Sequence, residues 1–86
     1  MPEISRFYGI IISLFYNEHN PPHFHIRYDS FKAVIRIRDF QLLEGRLPPR
    51  ALGLVTEWAA RHQNELIAGW ELAANGQEPP RIEPLD

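Results

Sequence analysis

The chain has 86 residues, is 44% hydrophobic with five Phe, three Tyr and two Trp, and has a formal net charge of −2. A chain of this length allows one domain with a thin core, burying roughly 60–65% of its unfolded surface, and is too short for a dinucleotide-binding fold. It contains no cysteine, which excludes disulfides, thiol catalysis and cysteine-rich zinc sites and fits a cytoplasmic location.

No apolar run approaches the roughly 20 residues that span a bilayer. No basic segment leads into a small-residue cleavage site, so neither a membrane partner nor a secretory signal is expected. The charge is uneven. Residues 1–50 hold seven cations against five acids, and residues 51–86 hold two against six. Eight of the nine cations are Arg, whose forked donor set suits phosphate and carboxylate. The sequence pI of about 6.0 is low for a free nucleic-acid binder.

Residues 6–16 are β-branched and aromatic and predict one strand, apolar on both faces, with Gly9 as a bulge or close-packing point. A strand of that kind is covered on both sides, and a second subunit could supply one cover. The loop Asn17–Pro22 follows, stiffened by Pro21 and Pro22. Residues 23–29 and 31–38 alternate and predict a hairpin turning at Asp29–Ser30. Phe24, Ile26, Tyr28, Phe31, Ala33, Ile35 and Ile37 face its core. Residues 40–44 predict a short fourth strand.

Apolar residues then recur at Leu52, Val55, Ala59, His62, Leu66, Trp70 and Ala73, the stripe of an amphipathic helix. One helix over 50–74 is expected, with a kink or break near 62–64 as the alternative, and Asn75-Gly76 as its stop. Residues 1–76 thus read as a single α+β domain, a three- or four-stranded antiparallel sheet packed on a long C-terminal helix. Residues 77–86 read as an extended, proline-rich acidic tail pinned by Ile82 and Leu85.

The outward side of the hairpin carries His23, His25 and Arg27 on one strand and Lys32, Arg36 and Arg38 on the next. Cross-strand neighbours lie about 5 Å apart, so these groups share one patch, and an anion would relieve their repulsion. Arg27, Lys32, Arg36 and Arg38 are therefore candidate phosphate-binding residues. A solvated polar face of a half-buried hairpin is the plainer alternative. Tyr8 and Tyr16 could add stacking if they share that face.

The histidines admit three readings. His23 and His25, at i and i+2 on a strand, form with His19 the set H-x3-H-x-H, which could hold a divalent metal such as zinc, with Glu18 as a spare carboxylate. His23 or His25 could instead be a catalytic acid or base in phosphodiester cleavage. Or His19 and His23 brace the Asn20-Pro21-Pro22 turn. On the helix, Trp58, His62 and Trp70 read as core.

The opening Pro2-Glu3-Ile4-Ser5-Arg6-Phe7-Tyr8-Gly9-Ile10, the block Asn17-Glu18-His19-Asn20-Pro21-Pro22-His23-Phe24-His25, the stretch Leu43-Glu44-Gly45-Arg46-Leu47-Pro48 and the pairs Glu57-Trp58 and Glu65-Leu66 resemble a family of small bacterial proteins. That family is catalogued as a domain of unknown function, number four thousand one hundred and sixty. The resemblance covers nearly the whole chain and implies a compact α+β protein encoded beside a second small protein, in an arrangement similar to toxin–antitoxin pairs. It implies no activity and no catalytic residue.

Three functions follow as expectations. The first is a toxin–antitoxin-type effector that binds, and could cut, RNA on the hairpin face, with a cognate protein partner covering it. The second is a non-catalytic interaction module, an antitoxin or a regulatory subunit, forming a homodimer or a small heterocomplex. The third is a divalent-metal-binding protein using His19, His23 and His25.

Overall fold

The computed structural model describes residues 2–86. Five strands form one antiparallel sheet in chain order: β1 (Glu3–Phe7), β2 (Ile10–Ser13), β3 (His23–Tyr28), β4 (Phe31–Arg36) and β5 (Leu42–Gly45). Two helices, α1 (Pro49–Arg61) and α2 (Gln63–Ala74), follow. The α+β class holds, but the sheet has five strands where three or four were expected.

The extra strand comes from the segment expected to be one strand over 6–16. Phe7 pairs directly with Ile10, leaving Tyr8 and Gly9 as a two-residue turn. Both have positive φ, 52° and 79°, as a type I′ hairpin turn requires. Gly9 therefore reverses the chain instead of bulging it. The reversal also sends Phe7 into the core together with Ile10 and Ile12, whereas alternation along a single strand would have put it opposite them.

The hairpin of β3 and β4 has the expected register, with His23 opposite Arg36, His25 opposite Val34 and Arg27 opposite Lys32. Asp29 turns it with φ 52°. β4 stops at Arg36 instead of running to 38. The Phe40 N–H donates to Arg36 O at 2.8 Å and the Arg36 N–H to Gln41 O at 2.9 Å, closing a turn in which Phe40 has φ 61°. Phe40 thus belongs to the turn, and the last strand begins at Leu42.

The single helix expected over 50–74 is two. His62 has φ −126° and ψ 25°, outside the helical region. The Gln63 side chain donates to Ile37 O at 2.8 Å and to Arg38 O at 3.0 Å, tying the break to the carbonyls that β4 leaves unpaired. The stripe stays in phase across the break, which is why periodicity conceals it. Gly76, at φ 77°, ends α2 with its N–H on Ala73 O at 3.0 Å, the expected stop.

Both helices cover one face of the sheet. Ile10, Ile12, Phe24, Ile26 and Ile35 meet Val55, Trp58, Ala59 and Leu66 in one buried cluster. The tail closes its far side. Ile82 and Leu85 are buried, the Ile82 N–H donates to Ile4 O at 2.7 Å, and Trp58 Nε1–H donates to Glu83 O at 2.8 Å. No helix among the described residues is long and apolar enough to cross a membrane.

Candidate functional site

With both helices on one side, the other face of the sheet is covered by neither helix. Its outward residues form a ladder on the β3–β4 hairpin with three rungs: Arg27–Lys32, His25–Val34 and His23–Arg36. On β2, Ile11 lies opposite Arg27 and Ser13 opposite His25. A shallow groove of about 530 Å³ runs over this face, lined by Ile11, Phe15, His25, Arg27, Lys32 and Val34 among others. Of the apolar residues expected on one side of the first segment, Ile11 and Phe15 line the open groove while Phe7 is in the core.

At one end of the groove, Glu18 reaches back from the loop. One of its carboxylate oxygens, Oε1, lies 2.9 Å from His23 Nε2 and 2.5 Å from His25 Nε2. His23 Nδ1 lies 2.7 Å from Pro21 O. The three side chains are partly buried, with 12%, 22% and 29% of the His23, His25 and Glu18 side chains exposed. Phe15 covers one face of His25, with ring centroids 3.7 Å apart. Burial pushes the Glu18 carboxyl up, but the hydrogen bonds from His25 and His23 outweigh it and hold the carboxyl below its ordinary value.

The loop is held at both ends. The Asn17 N–H donates to Ala73 O at 2.9 Å and the Ile37 N–H to Pro22 O at 3.0 Å. Asn17 has φ 57° and the Asn20–Pro21 bond is cis. The two end bonds hold the loop so that Glu18 meets β3 five and seven residues further on.

The structure sorts the candidate residues. His23 and His25 come together, with Glu18 between them. His19 is exposed and is not part of that cluster. Arg27 and Lys32 are exposed and face each other. Arg36 is already engaged: it grips Asp39 through Nε and Nη2, each at 2.9 Å, and Gln41 Oε1 at 2.5 Å. Arg38 lies exposed beyond the end of β4. Tyr8 does not share the open face, since it lines a second groove of about 540 Å³ with Tyr28, Ala51, Leu54 and Leu85. His62 is packed against Trp58 at 5.5 Å and bonded to Glu65 at 2.6 Å.

Sequence reasoning gave Glu18 and Phe15 no central role. The signal for Glu18 was present as a carboxylate five residues before the H-x-H pair. The loop path that makes it useful was not.

The family model described as "Domain of unknown function (DUF4160)" matches residues 9–71. That span runs from the β1–β2 turn into α2 and contains the whole Glu18, His23 and His25 cluster. No curated protein and no solved structure matches the chain.

Proposed function

The chain belongs to the DUF4160 family, a domain of unknown function, and from that premise we propose that it is a small toxin–antitoxin-type effector that binds RNA on the open face of its sheet. The observation that carries this reading is the Arg27–Lys32 rung. The two cations lie side by side, both exposed. Unlike Arg36, which holds Asp39, they form no ion pair among the described residues. Backbone phosphates satisfy such groups.

The neighbouring rungs add what single-stranded RNA uses. His25 stacked on Phe15 is an aromatic platform beside the cations. His25 and His23 lie one and two rungs away, so a phosphodiester held by Arg27 and Lys32 has His25 as its nearer proton-handling group. A cognate protein covering the face would account for a chain less basic than a free nuclease.

The test is controlled induction in a bacterial host, following growth and total-RNA integrity, with Arg27→Ala/Lys32→Ala and His25→Ala alongside. Growth arrest and RNA fragmentation should appear with the native chain and disappear in folded variants. Binding of a single-stranded RNA oligonucleotide should lose about 1.4 from its log K against log salt slope when both cations are removed. Normal growth, intact RNA and no oligonucleotide binding at low salt would overturn the reading.

A second reading, an interaction module, is favoured by β5. All four of its residues are exposed, Leu42 and Leu43 at 38% and 36%, and β4 is its one neighbour in the sheet. Such an edge pairs with a strand from a second copy or a small partner protein. Leu43→Lys should then dissociate a homodimer or heterocomplex in sedimentation. A monomeric native chain that binds no neighbouring gene product would remove this reading.

A further inference from the structure

We infer that Glu18, His23 and His25 form a binding site for one divalent transition-metal cation, with two imidazoles and one carboxylate as ligands and an open position toward the groove. The site shares His23 and His25 with the RNA reading but does not rest on it: metal binding is read directly and can fail with RNA binding intact.

The geometry gathers three metal-ligand atoms in one place. Glu18 Oε1, His23 Nε2 and His25 Nε2 all lie within 4.8 Å of one another. Ligands about 2.0–2.1 Å from one ion sit roughly 3 Å apart, so the observed 2.9 Å between Glu18 and His23 already fits. The 2.5 Å between Glu18 and His25 needs only a small opening.

The His23 tautomer points the same way. A carbonyl oxygen only accepts, so the contact to Pro21 O places a hydrogen on His23 Nδ1 and leaves Nε2, the nitrogen nearest Glu18, as the one that would ligate a metal.

The surroundings are those of a ligand set. A backbone carbonyl on the far nitrogen of a ligating His fixes its tautomer and ring orientation, and Pro21 O does this for His23. Phe15 fixes the plane of His25, 7° from parallel. The H-x-H pair sits on a strand and the loop carrying Glu18 is tied at both ends, so the site is largely formed in advance. Two nitrogens and one oxygen suit zinc, cobalt, nickel, iron or manganese and differ from the all-oxygen sets of calcium and magnesium. Three protein ligands with partial exposure leave room for a water, as in reactive rather than purely structural sites.

The experiment is titration of the untagged, chelator-stripped full chain with Zn²⁺ by calorimetry and with Co²⁺ by visible absorption. One ion per chain is expected, with cobalt d–d bands that zinc displaces and a rise in melting temperature. Glu18→Gln and His23→Asn should each weaken binding by more than the roughly 10–100-fold that loss of an outer-shell partner causes. His19→Ala should leave binding unchanged, because His19 lies outside the cluster. Far less than one ion per chain, or equal binding by the Glu18→Gln and native chains, would overturn the assignment. Should the ligand variants fail to fold, the native chain decides through its histidine NMR signals. Two imidazoles must shift on zinc addition, and silence of both would overturn it.

Discussion

The His25 imidazole lies flat on the Phe15 ring, with centroids 3.7 Å apart and planes 7° from parallel. The pair joins β3 to the segment that follows β2, and it walls the groove beside Glu18. Stacking of this kind contributes about 0.5–1.5 kcal/mol beyond the area it buries.

The coupling is therefore measurable. Phe15→Ala, His25→Ala and the double variant should give a non-additive stability of about 0.5–1.5 kcal/mol in urea unfolding. Phe15 is half-buried, so its own truncation should cost less than the roughly 3–5 kcal/mol of a core Phe. Additivity within about 0.3 kcal/mol would mean the two rings merely lie together.

Two glycines of positive φ, Gly9 in the first turn and Gly45 at the end of β5, separate conformational from steric cost. A Cβ on Gly9 would meet only Tyr28 carbons at 3.6 and 3.9 Å, ordinary contact, but φ is 79°. Gly9→Ala should thus cost on the order of 1 kcal/mol, the conformational penalty alone. A Cβ on Gly45 would lie 2.0 Å from Lys32 O, with φ 72°. That oxygen also accepts the Arg46 N–H at 3.0 Å, so it cannot move away freely. Gly45→Ala should separate β5 from β4, seen as loss of amide protection confined to that edge. Equal, small melting shifts for both variants would contradict this ordering.

What could be read from the chain followed from local pattern. The β3–β4 hairpin was legible because Phe24/Ile26 alternate with His23, His25 and Arg27, and Ala33/Ile35 with Lys32, Val34 and Arg36. The first hairpin was not, because its turn uses Tyr8, a bulky aromatic rarely found at positive φ, inside an unbroken apolar run. The helix break was named only as an alternative, since His62 sits in phase on the stripe. Its cause is the tertiary bond from Gln63 to Ile37 O and Arg38 O. At the site, His23 and His25 followed from period two. The occupation of Arg36 by Asp39 depends on the turn around Phe40, and the arrival of Glu18 depends on the Pro-rich loop path. Neither is a feature of spacing alone.

The C-terminal tail is part of the core's cover. Ile82 and Leu85 are 5% and 8% exposed, each contributing about 1.5–3 kcal/mol by burial. Without Glu83 O, the Nε1–H of fully buried Trp58 loses its partner, a further cost of about 1–3 kcal/mol. Against a total stability of roughly 5–15 kcal/mol, a chain ending at Gln77 should be largely unfolded at 37 °C by circular dichroism. Trp58→Phe in the full chain should fold with a lowered melting temperature. A truncated chain melting like the full one would show that the helices and sheet close without the tail.

Stability should fall on acidification, with Asp39 a named contributor. The Arg36 guanidinium bonded to it lowers its carboxyl most. Burial opposes this, while the Gln41 N–H and the charges of Arg36 and Arg38 assist, and the result is a pKa lowered from 3.8 to about 2. The unfolded chain then takes up its proton first, so this stabilisation is complete above 3.8 and is lost as pH falls through about 2. Glu3 and Glu18 are also held below their ordinary values and act in the same direction. Urea midpoints measured from about pH 6 down to about pH 2 should decline for the native chain. Asp39→Asn should start lower at pH 6 and decline less, the two curves converging at the acid end. Curves that stay parallel would mean that the Arg36–Asp39 pair, exposed as it is, contributes nothing to the folded state beyond what the turn provides.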